Sequence, residues 1–81
     1  MVTYDHYKEA RELAEQLREE KIGSFADKII GAIEEGSTGT EIFMALRWNI
    51  KNLLKTKDYL LSITIRDKAS RLYKELDKAL Q

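Results

Sequence analysis

Few side chains of this 81-residue sequence could do chemistry. His6 is the only histidine and cysteine is absent, which excludes disulfides, zinc–thiolate sites and cysteine nucleophiles. A histidine on an apolar helix face, as His6 is, usually packs or forms hydrogen bonds at the rim of a core. The many carboxylates near the N-terminus fall on the opposite, solvated face. We therefore predict that the protein is not an enzyme and has no catalytic residue, cofactor or metal.

A second chemical candidate is a turn rich in glycine and hydroxyl groups. Free amides at a helix N-terminus can bind a phosphate, and the weak candidates for such an anion site are Ser37, Thr38, Gly39 and Thr40. The turn departs from a P-loop because Thr40 stands where that loop has lysine, and no strand precedes it. A capping box explains the turn better: the Thr38 hydroxyl accepts from the Glu41 amide, and the Glu41 carboxylate reaches back to the Thr38 amide.

The third candidate is a basic stripe downstream of this turn. Arg47, Lys51 and Lys55 are spaced four residues apart and could follow a phosphate backbone, while Trp48 could stack on a base. A groove-reading helix presents polar side chains at its start, whereas this segment opens with the apolar run 42–46. Solvated lysines are the simpler explanation. An anionic ligand or nucleic acid stays as the alternative function.

The elements that must position these residues are helices. Proline is absent, and apolar residues recur every three or four positions between glycine-containing turns. We predict an all-α, single-domain antiparallel four-helix bundle spanning residues 1–81, with helices near 4–21, 25–35, 40–56 and 58–80. The predicted core residues are His6, Ala10, Leu13, Ala14, Leu17, Phe25, Ala26, Ile29, Ile30, Ile33, Ile42, Phe43, Leu46, Ile50, Leu53, Leu54, Ile65, Ala69, Leu72, Leu76 and Ala79.

The turns predict where these helices start and stop. Thr3 or Asp5 caps the first helix, Gly23 ends it in a left-handed conformation, and Ser24 caps the second. Residues 61–65 alternate like a strand, but a lone strand would have no partner in this chain. We therefore place them in a fourth helix capped by Asp58.

Two helices carry apolar residues away from their core stripes. On the third, Met44 and Trp48 lie opposite the core, interleaved with basic residues. On the fourth, Tyr59, Leu60 and Ile63 also point away from it. Such a second apolar surface marks an interface, which predicts a protein–protein interaction module with a homodimer as one form. The interface candidates are Met44, Arg47, Trp48, Lys51, Tyr59, Leu60 and Ile63. In the alternative, the third helix is central and buries both its core face and the opposite face within the monomer.

Charge and hydropathy restrict the partners. The 14 basic and 14 acidic residues balance, yet residues 1–36 carry a net charge of −4 and residues 37–81 carry +4. Two oppositely charged helical hairpins attract when they pack, although the basic half could instead face an anionic partner. No apolar run approaches the ~18 residues of a membrane span, and no signal segment is evident. We predict a cytoplasmic protein with no membrane partner.

The segment from Gly36 to Trp48, GSTGTEIFMALRW, is similar to a helix start that recurs in small, uncharacterised bacterial helical proteins. The resemblance covers about a sixth of the chain and includes no catalytic motif. It implies a helical fold and a bacterial, cytoplasmic origin, and it implies no activity.

Overall fold

The computed structural model describes residues 4–55 and 61–81, which form four helices and no strand. The helices are α1 His6–Glu19, α2 Gly23–Glu35, α3 Gly39–Leu54 and α4 Ile63–Leu80. α1 packs against α2 and α4, and α3 packs against the same two helices. This arrangement is a ring in which α1 and α3 face each other across a diagonal. The predicted all-α four-helix bundle is confirmed.

The core fills the centre of this ring with aliphatic side chains. Their spacing of three and four residues gives each helix one apolar stripe. The buried residues are Ala10, Leu13, Ala14, Leu17, Ala26, Ile29, Ile33, Leu46, Ile50, Leu53, Leu61, Ile65, Ala69, Leu72 and Leu76. Six predicted core residues are only half-buried at its margin: His6, Phe25, Ile30, Ile42, Phe43 and Leu54. The prediction for Ala79 is wrong, because it lies exposed in the last turn of α4.

Three of the four helices begin with a side-chain cap. The Asp5 carboxylate accepts from the Lys8 amide at 3.0 Å, as predicted for this residue. Ser62 Oγ accepts from the Ile65 amide at 3.2 Å at the start of α4. Each cap satisfies one of the free amides of a first turn and sets the residue at which the helix starts.

The start of α4 differs from the prediction. The helix begins at Ile63, after Ser62 in an extended conformation, and not near residue 58. The predicted cap, Asp58, lies outside the described residues. Leu61 precedes the helix and is buried in the core at 8% exposure. Ser62 starts the helix here because its hydroxyl satisfies the Ile65 amide, and the strand-like segment becomes a helix from Ile63 onward.

The turn between α1 and α2 also differs from the prediction. Lys21, and not Gly23, adopts the left-handed conformation, with φ 65°. The Ile22 amide donates to the Leu17 carbonyl at 2.8 Å and the Lys21 amide to the Arg18 carbonyl at 3.0 Å. This paired pattern closes a helix at the residue before the left-handed one. Gly23 is therefore free to start α2, and the helix has no side-chain cap from Ser24.

Replacing Lys21 by glycine is expected to stabilise the protein by about 0.5–1 kcal/mol, because glycine adopts positive φ without the steric cost that a side chain incurs. Chemical denaturation measures the free energy of unfolding. Lys21→Val is the control and should lower stability. Equal stability of the three proteins would contradict the assigned left-handed turn.

Gly36 is required by close packing between α2 and α3. Its φ of −70° and ψ of 140° suit any residue, so its backbone conformation does not demand glycine. An added Cβ would overlap Ile42 Cγ1 and lie 3.1 Å from the Ala32 carbonyl oxygen. Because the Ile42 side chain is β-branched, it has little freedom to move aside. The missing side chain lets the start of α3 pack directly on the end of α2.

Gly36→Ala is therefore expected to lower the free energy of unfolding by about 1–3 kcal/mol through overpacking. Gly31→Ala is the matched control, because a Cβ at this helical position would meet no atom within 4 Å. That variant should gain about 0.5–1 kcal/mol from higher helix propensity. Thermal or chemical unfolding compares the two, and equal effects would show that Ile42 does not restrict residue 36.

Candidate functional site

The ring arrangement leaves one face of α3 pointing outward. Leu46, Ile50 and Leu53 bury the inner face. On one flank, the Asn49 side chain donates to the Lys28 carbonyl of α2 at 3.5 Å. On the other flank, Arg47 forms an ion pair with α4. The face opposite the core therefore has no neighbouring helix in the ring.

This outward face carries large apolar side chains. Met44 is 53% exposed and Trp48 is 63% exposed. The alternative that α3 buries both its core face and the opposite face within the monomer is wrong, because Met44 and Trp48 on the opposite face are exposed. Exposure of a large indole next to a methionine is unusual for the surface of a small monomer, where such side chains are mostly buried.

The two side chains border an open depression of about 420 Å³ between α3 and α4. Its lining residues are Met44, Arg47, Trp48, Lys51 and Tyr73, and we call this set the Trp48 surface. The sequence prediction included the first four and missed Tyr73, which is half-buried against the core. Tyr73 follows the core residue Leu72, and only the packing of α4 on α3 places its ring beside the predicted residues.

The contribution predicted from the fourth helix is only partly observed. Ile63 is 80% exposed at the first position of α4, but it does not line the depression. Tyr59 and Leu60 lie outside the described residues. Met44 and Trp48 therefore belong to one surface, whereas Ile63 is a separate exposed apolar residue.

An ion pair fixes one edge of the Trp48 surface. Arg47 Nη1 lies 2.8 Å from Asp77 Oδ1, with the two side chains 36% and 42% exposed. A pair this exposed contributes at most about 1 kcal/mol, but it holds the guanidinium over the α3–α4 junction. It also neutralises one of the three charges of the predicted basic stripe. Lys51 and Lys55 are exposed.

The candidate anion turn is occupied by its own side chains. Thr38 Oγ1 accepts from the Glu41 amide at 3.1 Å, which confirms the first half of the predicted capping box. The second half is wrong, because Glu41 Oε2 accepts from the Ser37 amide at 3.4 Å and not from Thr38. A carboxylate beside these amides repels an incoming anion. The predicted residues Gly39 and Thr40 are exposed in the first turn of α3.

His6 belongs to an aromatic cluster at one end of the bundle. Its ring centroid lies 5.1 Å from that of Tyr4 and 4.6 Å from that of Phe43, and its Nε2 lies 3.3 Å from the Glu75 carbonyl oxygen. These contacts show His6 as a packing residue that joins α1, α3 and α4.

Across the residues that the structure describes, no group of three or more histidine, cysteine, aspartate or glutamate side chains could hold a metal ion. None of the helices described is long and apolar enough to cross a lipid bilayer.

A partly buried charge cluster of Lys68, Glu9 and Glu12 joins the two oppositely charged halves of the chain. Lys68 Nζ lies 2.6 Å from Glu9 Oε2 and 2.9 Å from Glu12 Oε2, linking α4 to α1. Burial alone would lower the pKa of Lys68, but the hydrogen bonds and charges of both carboxylates raise it. The hydrogen bond from Lys68, with its positive charge, lowers the pKa of Glu12. Sequence reasoning placed these carboxylates on a solvated face and missed the cluster.

The directions in which the pKa values of Glu12 and Lys68 shift define the pH range over which this charge cluster stabilises the fold. A lowered Glu12 pKa stabilises the fold above the unfolded carboxyl pKa of about 4.3, and this contribution is lost as pH falls through the folded value. A raised Lys68 pKa stabilises it below the unfolded amine pKa of about 10.4, and this contribution is lost as pH rises through the folded value. The contribution should therefore be largest between about pH 5 and pH 10.

Lys68→Met is expected to cost about 0.5–1 kcal/mol at neutral pH, and the difference from the unmodified chain should shrink toward acid and strong alkali. Denaturant titrations across this pH range measure it. Lys74→Met replaces an exposed lysine of the same helix, and its difference in stability from the unmodified chain should not vary with pH in this way. A pH-independent difference for Lys68→Met would contradict an electrostatic origin.

Fold and surface together define a small four-helix bundle with an exposed, aromatic-centred patch on its third helix. No protein-family model, curated protein or solved structure matched this chain.

Proposed function

We propose that this chain is a protein–protein interaction module that docks through the Trp48 surface. The observation that carries the proposal is the exposure of Trp48, at 63%, beside Met44, at 53%, on a helix that already buries a complete inner stripe. Neither side chain is required to close the core. Their burial by a partner would remove a large apolar area from water.

The composition of the surface supports this proposal. Tryptophan, methionine, tyrosine and arginine are the residue types enriched at the centres of interfaces, and all four line the depression. Hot spots commonly consist of such a rigid aromatic anchor surrounded by contacts that exclude water. Arg47, which is paired with Asp77, and Lys51 would lie at the rim of the interface, where the exposed Lys51 can pair with a partner in the complex.

The alternative function, binding of an anionic ligand or nucleic acid, has less support. Arg47 is paired with Asp77, and Glu41 sits beside the amides of the candidate anion turn. Both arrangements lower the positive potential that a phosphate group would need. The cytoplasmic location, the bacterial origin and the absence of enzymatic activity stay predictions.

Self-association tests the proposal without knowledge of another partner. Sedimentation across the micromolar range should show species heavier than the 9.4 kDa chain. Trp48→Ala should weaken association by about 2 kcal/mol or more, because it removes the central anchor. Its free energy of unfolding should change by no more than about 0.5 kcal/mol, as is usual for an exposed residue.

Ile63→Ala is the matched control for this test, since Ile63 is a more exposed apolar residue outside the Trp48 surface. It should associate like the unmodified chain. A chain that stays monomeric throughout, or an Ile63→Ala effect equal to that of Trp48→Ala, would count against self-association through this surface.

A further inference from the structure

The outermost line of α3 carries opposite charges at its two ends. Glu41, Met44 and Trp48 of α3, with Lys55 directly after its last residue, fall within about 60° of one another around the helix axis, at 100° per residue. All four side chains are exposed. We call this line the α3 stripe. It has an acid near the start of the helix, apolar residues in the middle and a base at the end.

The spacing along the α3 stripe is symmetric about its tryptophan. Glu41 precedes Trp48 by seven residues, and Lys55 follows it by seven. At 1.5 Å per residue, each charge lies about 10 Å from the indole position along the axis, on opposite sides. A surface with this property is complementary to itself when one copy is turned end over end.

The geometry points to a second copy of this chain as the partner, with the two α3 helices antiparallel about a two-fold axis at Trp48 and Glu41 of each copy opposite Lys55 of the other. This inference rests on the proposed function and adds the identity and orientation of the partner. Under a two-fold axis each contact occurs twice, so the dimer contains two identical Glu41–Lys55 pairs.

The charges select the antiparallel arrangement over the parallel one. Parallel helices in register would place Glu41 against Glu41 and Lys55 against Lys55, and like charges facing across an interface cost affinity. The antiparallel arrangement replaces both repulsions with attractions. Arg47 and Lys51 lie to one side of the stripe, where Asp77 pairs with Arg47.

The flanks of α3 leave this line free to pair. Asn49 contacts α2 on one flank and Arg47 contacts α4 on the other, so the stripe is the part of α3 farthest from its own bundle. Two helices that pack along such lines come within about 8–10 Å of each other. Pairing limited to one helix per copy makes a small interface, of the size class seen in weak and transient complexes.

Reversing the charges at the two ends of the α3 stripe tests the antiparallel orientation of the two helices. Glu41→Lys and Lys55→Glu should each weaken self-association by about tenfold or more, because either change puts two like-charge pairs in the dimer. An equimolar mixture of the two variants should associate within about threefold of the unmodified chain, since a mixed dimer regains two opposite-charge pairs. Sedimentation or fluorescence anisotropy measures each affinity.

Glu41→Lys also removes the hydrogen bond that the Ser37 amide donates to the Glu41 carboxylate, so circular dichroism must confirm that this variant folds. Should it not fold, Lys55→Glu alone still tests the inference, because high salt should restore its affinity toward that of the unmodified chain by screening the repulsion. Lys8→Glu is the matched charge reversal on α1, the helix diagonal to α3, and should leave the affinity unchanged.

The outcomes separate the two proposals. A chain that is monomeric at every concentration overturns self-association and the antiparallel dimer together. A dimer that Trp48→Ala disrupts, but that neither charge variant weakens, keeps the Trp48 surface and overturns the antiparallel pairing. Weakened single variants whose mixture fails to associate also overturn it.

Discussion

Each helix of this bundle can bury one face only, because four helices in a ring have one shared interior. The interior is small and aliphatic, and among the described residues no polar or charged side chain is buried in it. Every apolar side chain outside the inner stripes must therefore lie at the margin or face water. α3 has more large apolar residues than its inner face can take, and the surplus lies on its outer side.

The same constraint explains how the polar groups are used. Charged side chains link helices around the outside of the ring, as Lys68 does between α1 and α4 and Arg47 does between α3 and α4. The Lys68 cluster joins the acidic first half of the chain to the basic second half. The net charges of opposite sign therefore have a local structural use, and they do not by themselves imply an anionic partner.

The turn between α2 and α3 positions the start of α3 against the end of α2. Gly36 lets Ile42 pack against the end of α2, and the Thr38 cap sets the first residue of α3. Because Leu46, Ile50 and Leu53 are buried in the core, the opposite side of α3 points outward. The exposure of Trp48 follows from that orientation, whereas the seven-residue spacing of Glu41 and Lys55 from Trp48 is set by the sequence.

The amino-acid sequence alone determined the number and type of the elements, the inner stripes and the caps at Asp5 and Thr38. These depend on residues three or four positions apart, so local periodicity and capping chemistry suffice to predict them. The segment 61–65 was ambiguous because its local pattern fits a strand as well as a helix, and Ser62 then set a later helix start than Asp58 would have. Local rules also misplaced the left-handed residue, which is Lys21 and not the nearby glycine.

Tertiary structure decided what the outer flanks of the helices meet. Nothing within α3 indicates whether Met44 and Trp48 face a fourth helix or water, because that depends on which helices are neighbours in the ring. Tyr73 and the Lys68 cluster were missed for the same reason, since their partners are far away in sequence and are brought close only by packing. The pattern of a helix determines which residues share a face, whereas the arrangement of helices determines what covers that face.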